Sequence, residues 1–345
     1  MRAEPDTLHP FVPLPAPPRP PLSVLELAPV VEGSTPAAAL SQSVELARLA
    51  ERLGYRRMWV AEHHNMPGIA SSSPPVLIAH LAASTEHLTL GAGGVMLPNH
   101  AALAVAEQFG MLEALHPGRI DLGLGRAPGT DPFTAAALRR AARPGADDFP
   151  EQLRDLLAFF DGTHPRITAV PAEGYRPALW LLGSSDYSAQ VAGLLGLPFS
   201  FAHHFASGGT AAALDAYRSS FRPSETLSEP YVMLGVPVIC ADTSSHARYI
   251  AGPSALSIVR LRTGRPSRLP TPEEAAEHVY SPHEKAIVAG WQAPLICGDP
   301  AEVRAGLEEL VTRTGADELM VASMIHGRED RLRSYELVAK AWGMP

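Results

Sequence analysis

Cysteine is nearly absent: the two in 345 residues, Cys240 and Cys297, stand in neither a metal-binding nor a redox spacing, so nothing supports a disulfide framework. Both read as plain buried thiols. Charged residues are also few, at 19% with a net charge of -8, and no Lys/Arg-rich run occurs. That balance disfavours nucleic acid or an anionic membrane as partner and leaves a small-molecule substrate as the expected ligand. No uninterrupted apolar run reaches membrane-spanning length, and no basic segment with an apolar core opens the chain. A cytoplasmic protein with no membrane contact is the expectation. No GxGxxG follows the first strand, which counts against a doubly wound dinucleotide-binding sheet. Glu62, His63, His64, His203 and His204 are metal-capable types, yet no His-x-His or His-Glu-x-x-His spacing arranges two of them on one side, so no metal is expected.

What is abundant is apolar residues, at 46%, enough for a sizeable core. Proline crowds residues 1–21, where it removes amide donors and favours extended conformations. This stretch reads as an appended arm, with 22–345 as a single domain.

From Leu22 onward the chain alternates short apolar strands with amphipathic helices. Strands are expected at Leu22–Val30, Met58–Ala61, Leu88–Met96, Ile120–Leu124, Ala178–Leu182, Leu197–Ala202, Tyr231–Cys240 (interrupted by Pro237) and Glu318–Met324. They are too uniformly hydrophobic for a sheet with one wet face, so they read as parallel and covered on both sides. Thr35-Pro36, Ser73-Pro74 and Asp299-Pro300 each offer an N-cap followed by proline at the first helical turn. The helix Pro75–Ser84 is apolar nearly all round; a homodimer covering its outer side follows, testable by charge at Leu77 or Leu81. Two long connections, Ala127–Pro177 and Pro266–Ile296, look like surface excursions that could serve as lids. The fold expected is α/β: a TIM (β/α)8 barrel with insertions after strands 4 and 7.

Such a barrel carries its chemistry at the C-terminal strand ends. There the sequence places Glu62-His63-His64 after strand two, Gly93-Gly94 late in strand three with Asn99-His100 beyond, Gly125-Arg126 after strand four, and Gly183-Ser184-Ser185 after strand five. An imidazole can exchange protons near neutral pH, though structural histidines are about as common. Glycine inside a strand packs nothing, so it marks either a bulge or a ligand lying against bare backbone. Arg126 can bind a phosphate bidentately, and a helix start at Ser184-Ser185 offers amides and hydroxyls to the same anion. Together they describe a phosphate-bearing planar cofactor across the barrel mouth.

The segments WVAEHHNMPG, LGAGGVMLPNH, AEQFGMLEALHPGRIDLGLGRAPG and LLGSSDYSAQVAGLLGLP, in that order, resemble the bacterial luciferase-like family of flavin-dependent monooxygenases. The likeness runs from Leu22 to Trp342 and is greatest toward the branch found in antibiotic gene clusters, of the mensacarcin-pathway type. It implies a barrel that binds reduced FMN, delivered by a separate flavin reductase, and reacts it with O2 to a flavin hydroperoxide that oxygenates an organic substrate, an aromatic polyketide intermediate being one candidate. By position, His63 matches the catalytic histidine, Gly93-Gly94 the site of a non-proline cis peptide under the flavin ring, and Arg126 with Gly183, Ser184 and Ser185 the phosphate ligands. The sequence departs at Ala102, where many relatives have proline. A deazaflavin-dependent hydride-transfer enzyme and a non-catalytic flavin-binding protein are the competing readings, since related barrels use deazaflavin and the fold alone does not enforce catalysis.

Overall fold

The computed structural model describes residues 19–127, 131–138 and 148–345. In chain order the elements are β1 (Leu22–Glu26), α1 (Pro36–Arg52), β2 (Arg57–Val60), α2 (Pro74–Ala82), β3 (Thr89–Met96), α3 (Ala102–Leu115), β4 (Ile120–Gly125), α4 (Pro132–Leu138), α5 (Phe149–Phe160), β5 (Ala178–Gly183), α6 (Asp186–Leu195) and β6 (Phe199–Phe201). There follow α7 (His203–Ala206), α8 (Thr210–Ser220), β7 (Val232–Cys240), α9 (Ser244–Arg262), α10 (Pro272–Glu277), α11 (Pro282–Gln292), β8 (Ile296–Gly298), α12 (Pro300–Thr314), β9 (Glu318–Ala322) and α13 (Arg328–Trp342).

Strands β1 to β7 pair in sequence, β7 pairs with β9, and β9 returns to β1, all parallel, so the sheet closes into the expected barrel. The eight expected strands are its staves. β8 lies outside the ring, paired only with the last residues of β7. Pro237 does not interrupt β7: β6 pairs with it only as far as Leu234 and β8 begins at Val238, so the missing amide falls between two partners. The excursion after strand seven is more ordered than its composition suggests, holding α10 and α11, and it is preceded by α9. The excursion after strand four holds α4 and α5, with residues 139–147 between them outside those described.

Period-two alternation sorts the strand residues. Met58 and Val60 face the helix layer with Leu22, Leu46, Leu90 and Leu122, whereas Trp59 turns into the barrel with Leu25, Trp180, Met233 and Met320. At the N-terminal end of the interior, Arg57 contacts Asp121 at 2.6 Å and Glu318 at 2.8 Å, the Trp59 indole donates to Asp121 at 2.8 Å, and the Tyr231 hydroxyl donates to Glu318 at 2.8 Å. This polar plug closes the bottom of the barrel, and the aromatic layer above it seals the space below the mouth.

Local signals work as read in most places. The Thr35 hydroxyl caps α1 through the Ala38 amide at 3.1 Å, and Asp299 with Glu302 forms a reciprocal capping box on α12, which ends at Gly315 with φ +59°. Ser73 precedes α2 without a side-chain cap bond, so proline at the first turn carries that start alone. On α2, Leu77 (7% exposed) and Leu81 (0%) face the barrel, while Val76 (71%) points outward. Charge at Leu77 or Leu81 would therefore strike the core, and any second subunit must be probed at Val76. Of the proline-rich arm, residues 1–18 lie outside those described. Arg19 to Pro21 are fastened down: Arg19 donates to the Trp342 carbonyl at 2.9 Å and pairs with Glu308 at 2.9 Å, and the Trp342 indole donates to the Pro20 carbonyl at 2.8 Å.

Candidate active site at the barrel mouth

The candidate residues fall on an arc of adjacent strands, β2 through β5, at their C-terminal ends. Three inter-strand steps of about 4.8 Å separate β2 from β5, a span of roughly 14 Å. That order sets the imidazoles at one end of the arc and the anion-binding groups toward the other.

Glu62 is the hub of the first end. Its buried carboxylate receives the His64 Nε2 at 3.0 Å, the His100 Nε2 at 2.8 Å and the Met96 amide at 3.0 Å. Burial pushes this carboxyl up, but the hydrogen bonds from His100 and His64 and the Met96 amide outweigh it and hold the group below the usual carboxylate range. An ionised Glu62 only accepts, so both imidazoles place their Nε2–H on it. His63 stands apart from this network. Its backbone amide donates to the Ser71 carbonyl at 2.9 Å, while its Nδ1 is buried without a partner among the described residues. Burial lowers its pKa, with the Glu62 charge opposing and His64 adding to the shift, so the ring is neutral near pH 7.

Beside it, β3 carries the peptide Gly93–Gly94, which is cis. The β3–β4 register slips between Ala92 and Val95, so the bulge and the bare backbone expected from the glycines coincide. A Cβ on Gly94 would come within 2.8 Å of the Gly123 carbonyl oxygen, and one on Gly93 within 3.0 Å of Leu25 and Trp59 side-chain carbons. Gly93 is half-buried between buried neighbours, and its missing side chain leaves bare backbone beside Leu25 and Trp59 of the barrel interior. A flat ring system fits against such a surface; the same place has no room for a side chain.

At the far end Arg126 follows β4, and its guanidinium lies over the Tyr187 ring, 4.3 Å from the centroid. Gly125 pairs with Leu182, so Arg126 neighbours the turn Gly183-Ser184-Ser185. Ser184 and Ser185 are exposed, and Ser185 stands at the N-cap of α6 without a side-chain cap bond, leaving its hydroxyl and the first-turn amides open to an anion. Gly183 has a packing reason of its own, since a Cβ there would meet the Ser188 Cβ at 2.6 Å.

On the opposite side of the mouth stand His203 and His204, which the sequence marks only as metal-capable types. The structure separates them. His203 Nδ1 is engaged by the Thr210 hydroxyl at 2.7 Å, whereas the His204 ring lies against Gly235, its Nδ1–H 3.3 Å from that carbonyl. Burial pushes His204 down to about 4, with the charges of His203 and His63 adding to it. Tyr187 and the Glu62–His100 pairing were likewise not read from the sequence, because each depends on contacts between strands that spacing does not reveal. Among the described residues no His, Cys, Asp and Glu side chains group as a metal site, and no helix is long and apolar enough to cross a membrane.

A family model described as luciferase-like monooxygenase matches residues 23–318. A luciferase-like monooxygenase of Escherichia coli K12 is 48% identical over 317 residues, covering 91% of this chain and 95% of that protein. The N-acetyl-S-alkylcysteine monooxygenase of Bacillus subtilis is 35% identical, covering 93% and 97%. The crystal structure of apo-MsnO8 superposes with a TM-score of 0.88 at 42% identity, covering 95% of this chain and 99% of that one.

Proposed function

The chain belongs to the luciferase-like monooxygenase family, and from that premise we propose that it is a two-component monooxygenase that takes reduced FMN from a separate flavin reductase and uses O2 to oxygenate a small organic substrate. The observation that carries the reading is His63: a neutral imidazole with an unsatisfied buried Nδ1, at the mouth beside a side-chain-free backbone and at the other end of the arc from Arg126.

Reduced FMN would supply the electrons that activate O2. The protein's part is binding, orientation and proton control. Arg126, the Ser184 and Ser185 hydroxyls and the first amides of α6 hold the phosphate; Gly93 and Gly94 seat the ring; Trp59, Trp180 and Met320 keep water from reaching it from below. His63 takes up or returns a proton at Nδ1 as oxygen is transferred. The sequence resemblance to the antibiotic-cluster branch supports an aromatic polyketide as one substrate class, while the name of the Bacillus subtilis relative, an N-acetyl-S-alkylcysteine monooxygenase, makes a thioether another. The E. coli relative is at least as similar as MsnO8, so the choice falls to assay. The same reading includes a cytoplasmic homodimer whose contact uses Val76 of α2 with Met111 and Leu115 of α3, all exposed apolar side chains on neighbouring helices.

The test is turnover of thioethers and polycyclic aromatics with FMN, a flavin reductase with its reduced nicotinamide donor, and 18O2. One labelled oxygen atom in the product is the expected result; turnover that needs no oxygen, or that proceeds with a reduced deazaflavin alone, would overturn the proposal.

A further inference from the structure

Arg126 is held by a side chain whose part in the site no family likeness supplied. Its guanidinium carbon lies 4.3 Å from the centroid of the Tyr187 ring, and Tyr187 is the second residue of α6, one turn-start beyond Ser184 and Ser185. Among the described residues no carboxylate lies within ion-pairing distance of Arg126. The aromatic face is thus its named partner. Both ends of this contact are fixed to the barrel: Gly125 pairs with Leu182 in the sheet, and Ser188, buried one residue after Tyr187, packs against Gly183.

We propose that Tyr187 is a positioning residue for a phosphate monoester clamp. A guanidinium over a ring uses its face and leaves the N–H donors at its edge free, which is the geometry bidentate binding of a phosphate requires. An unsupported arginine at a strand end samples many rotamers, and immobilising it would weaken binding; the ring removes part of that loss in advance. Asp186, exposed in the same turn, opposes an anion there, so where the cation sits matters more. The opposite role, in which the ring parks Arg126 away from the anion, uses the same contact but reverses the sign of the substitution effect.

This inference rests on the reading of Arg126 as the phosphate ligand, and the experiment separates the two. Binding of FMN and of riboflavin to the whole chain is titrated by flavin fluorescence for the wild type, Arg126→Ala, Tyr187→Ala, Tyr187→Phe and the Arg126→Ala/Tyr187→Ala double variant. Tyr187→Ala is expected to weaken FMN by about 2- to 5-fold, the scale of an exposed cation–π contact, and to leave riboflavin unchanged. Tyr187→Phe should restore wild-type binding, and Tyr187→Ala should add nothing once Arg126 is gone. Tighter FMN binding in Tyr187→Ala, an unchanged FMN-to-riboflavin ratio, failure of phenylalanine to rescue, or a loss that persists without Arg126 would each overturn the positioning role while leaving the phosphate ligand in place. If Arg126→Ala weakens FMN and riboflavin alike, the phosphate reading falls and the positioning role with it.

Discussion

At the barrel mouth two neighbouring residues meet opposite fates. Glu62 is kept ionised by two imidazoles and an amide, whereas His63 is kept neutral by burial and lacks a partner at Nδ1. The sequence showed both as members of one Glu-His-His run; which one would be spoken for depended on His100, thirty-eight positions away. If His63 manages protons, His63→Ala should leave FMN affinity nearly intact and lower oxygenation by about 10²- to 10⁴-fold. Oxygen uptake should continue, with hydrogen peroxide released in place of product; unchanged turnover and coupling would remove His63 from the mechanism. His204 supplies a pH prediction. Its folded-state pKa of about 4 lies below the ordinary 6.5, so the stability contributed by the neutral ring is complete above about pH 6.5 and lost as pH falls through 4. Thermal melts between pH 7 and 4 should fall more steeply for the wild type than for His204→Asn; parallel curves would show that this ring does not carry the dependence.

Helices and strands were legible where pattern and punctuation agreed. α1 and α12 are announced by a cap, a proline and a terminal glycine, and the strand Ile120–Gly125 by a run of apolar residues and glycines. α9 was not expected, because Pro253 lies within it and its Arg, His and Ser residues blur the apolar stripe of Ala247, Ile250, Ala251 and Leu256. β8 has three residues and no periodicity to read. α2 shows a different limit: composition revealed that it is apolar nearly all round but not which side the barrel covers. The outcome assigns distinct results to adjacent positions. Val76→Asp, alone or with Leu115→Asp, should yield folded monomers by light scattering if this face is the subunit contact, and an intact dimer would move the contact elsewhere. Leu77→Asp should instead lower folded yield, since it sets a charge in the core.

Across the whole molecule the closed parallel sheet followed from eight similar units and the absence of a dinucleotide fingerprint, and the arc of strand ends followed from that closure. The polar plug did not. Arg57, Asp121 and Glu318 come from three strands, and only the closed ring brings them together. Arg57→Ala leaves buried Asp121 without its cation and Glu318 with only the longer 3.8 Å contact to Arg56, and should destabilise the fold by about 3 to 5 kcal/mol in denaturant titrations. A change below 1 kcal/mol would mean that water reaches the plug.

The mouth is proposed to hold reduced FMN, with the phosphate at Arg126 and the ring over Gly93–Gly94. The decisive experiment is anaerobic titration of the whole chain with reduced FMN, oxidised FMN, reduced riboflavin and a reduced deazaflavin. Reduced FMN is expected to bind most tightly, riboflavin to lose roughly the 1.5 to 3 kcal/mol of a charge-assisted contact, and Arg126→Ala to narrow the difference to what the Ser184 and Ser185 hydroxyls and the α6 amides still supply. Tightest binding of the deazaflavin, or equal binding of reduced FMN and riboflavin, would contradict it.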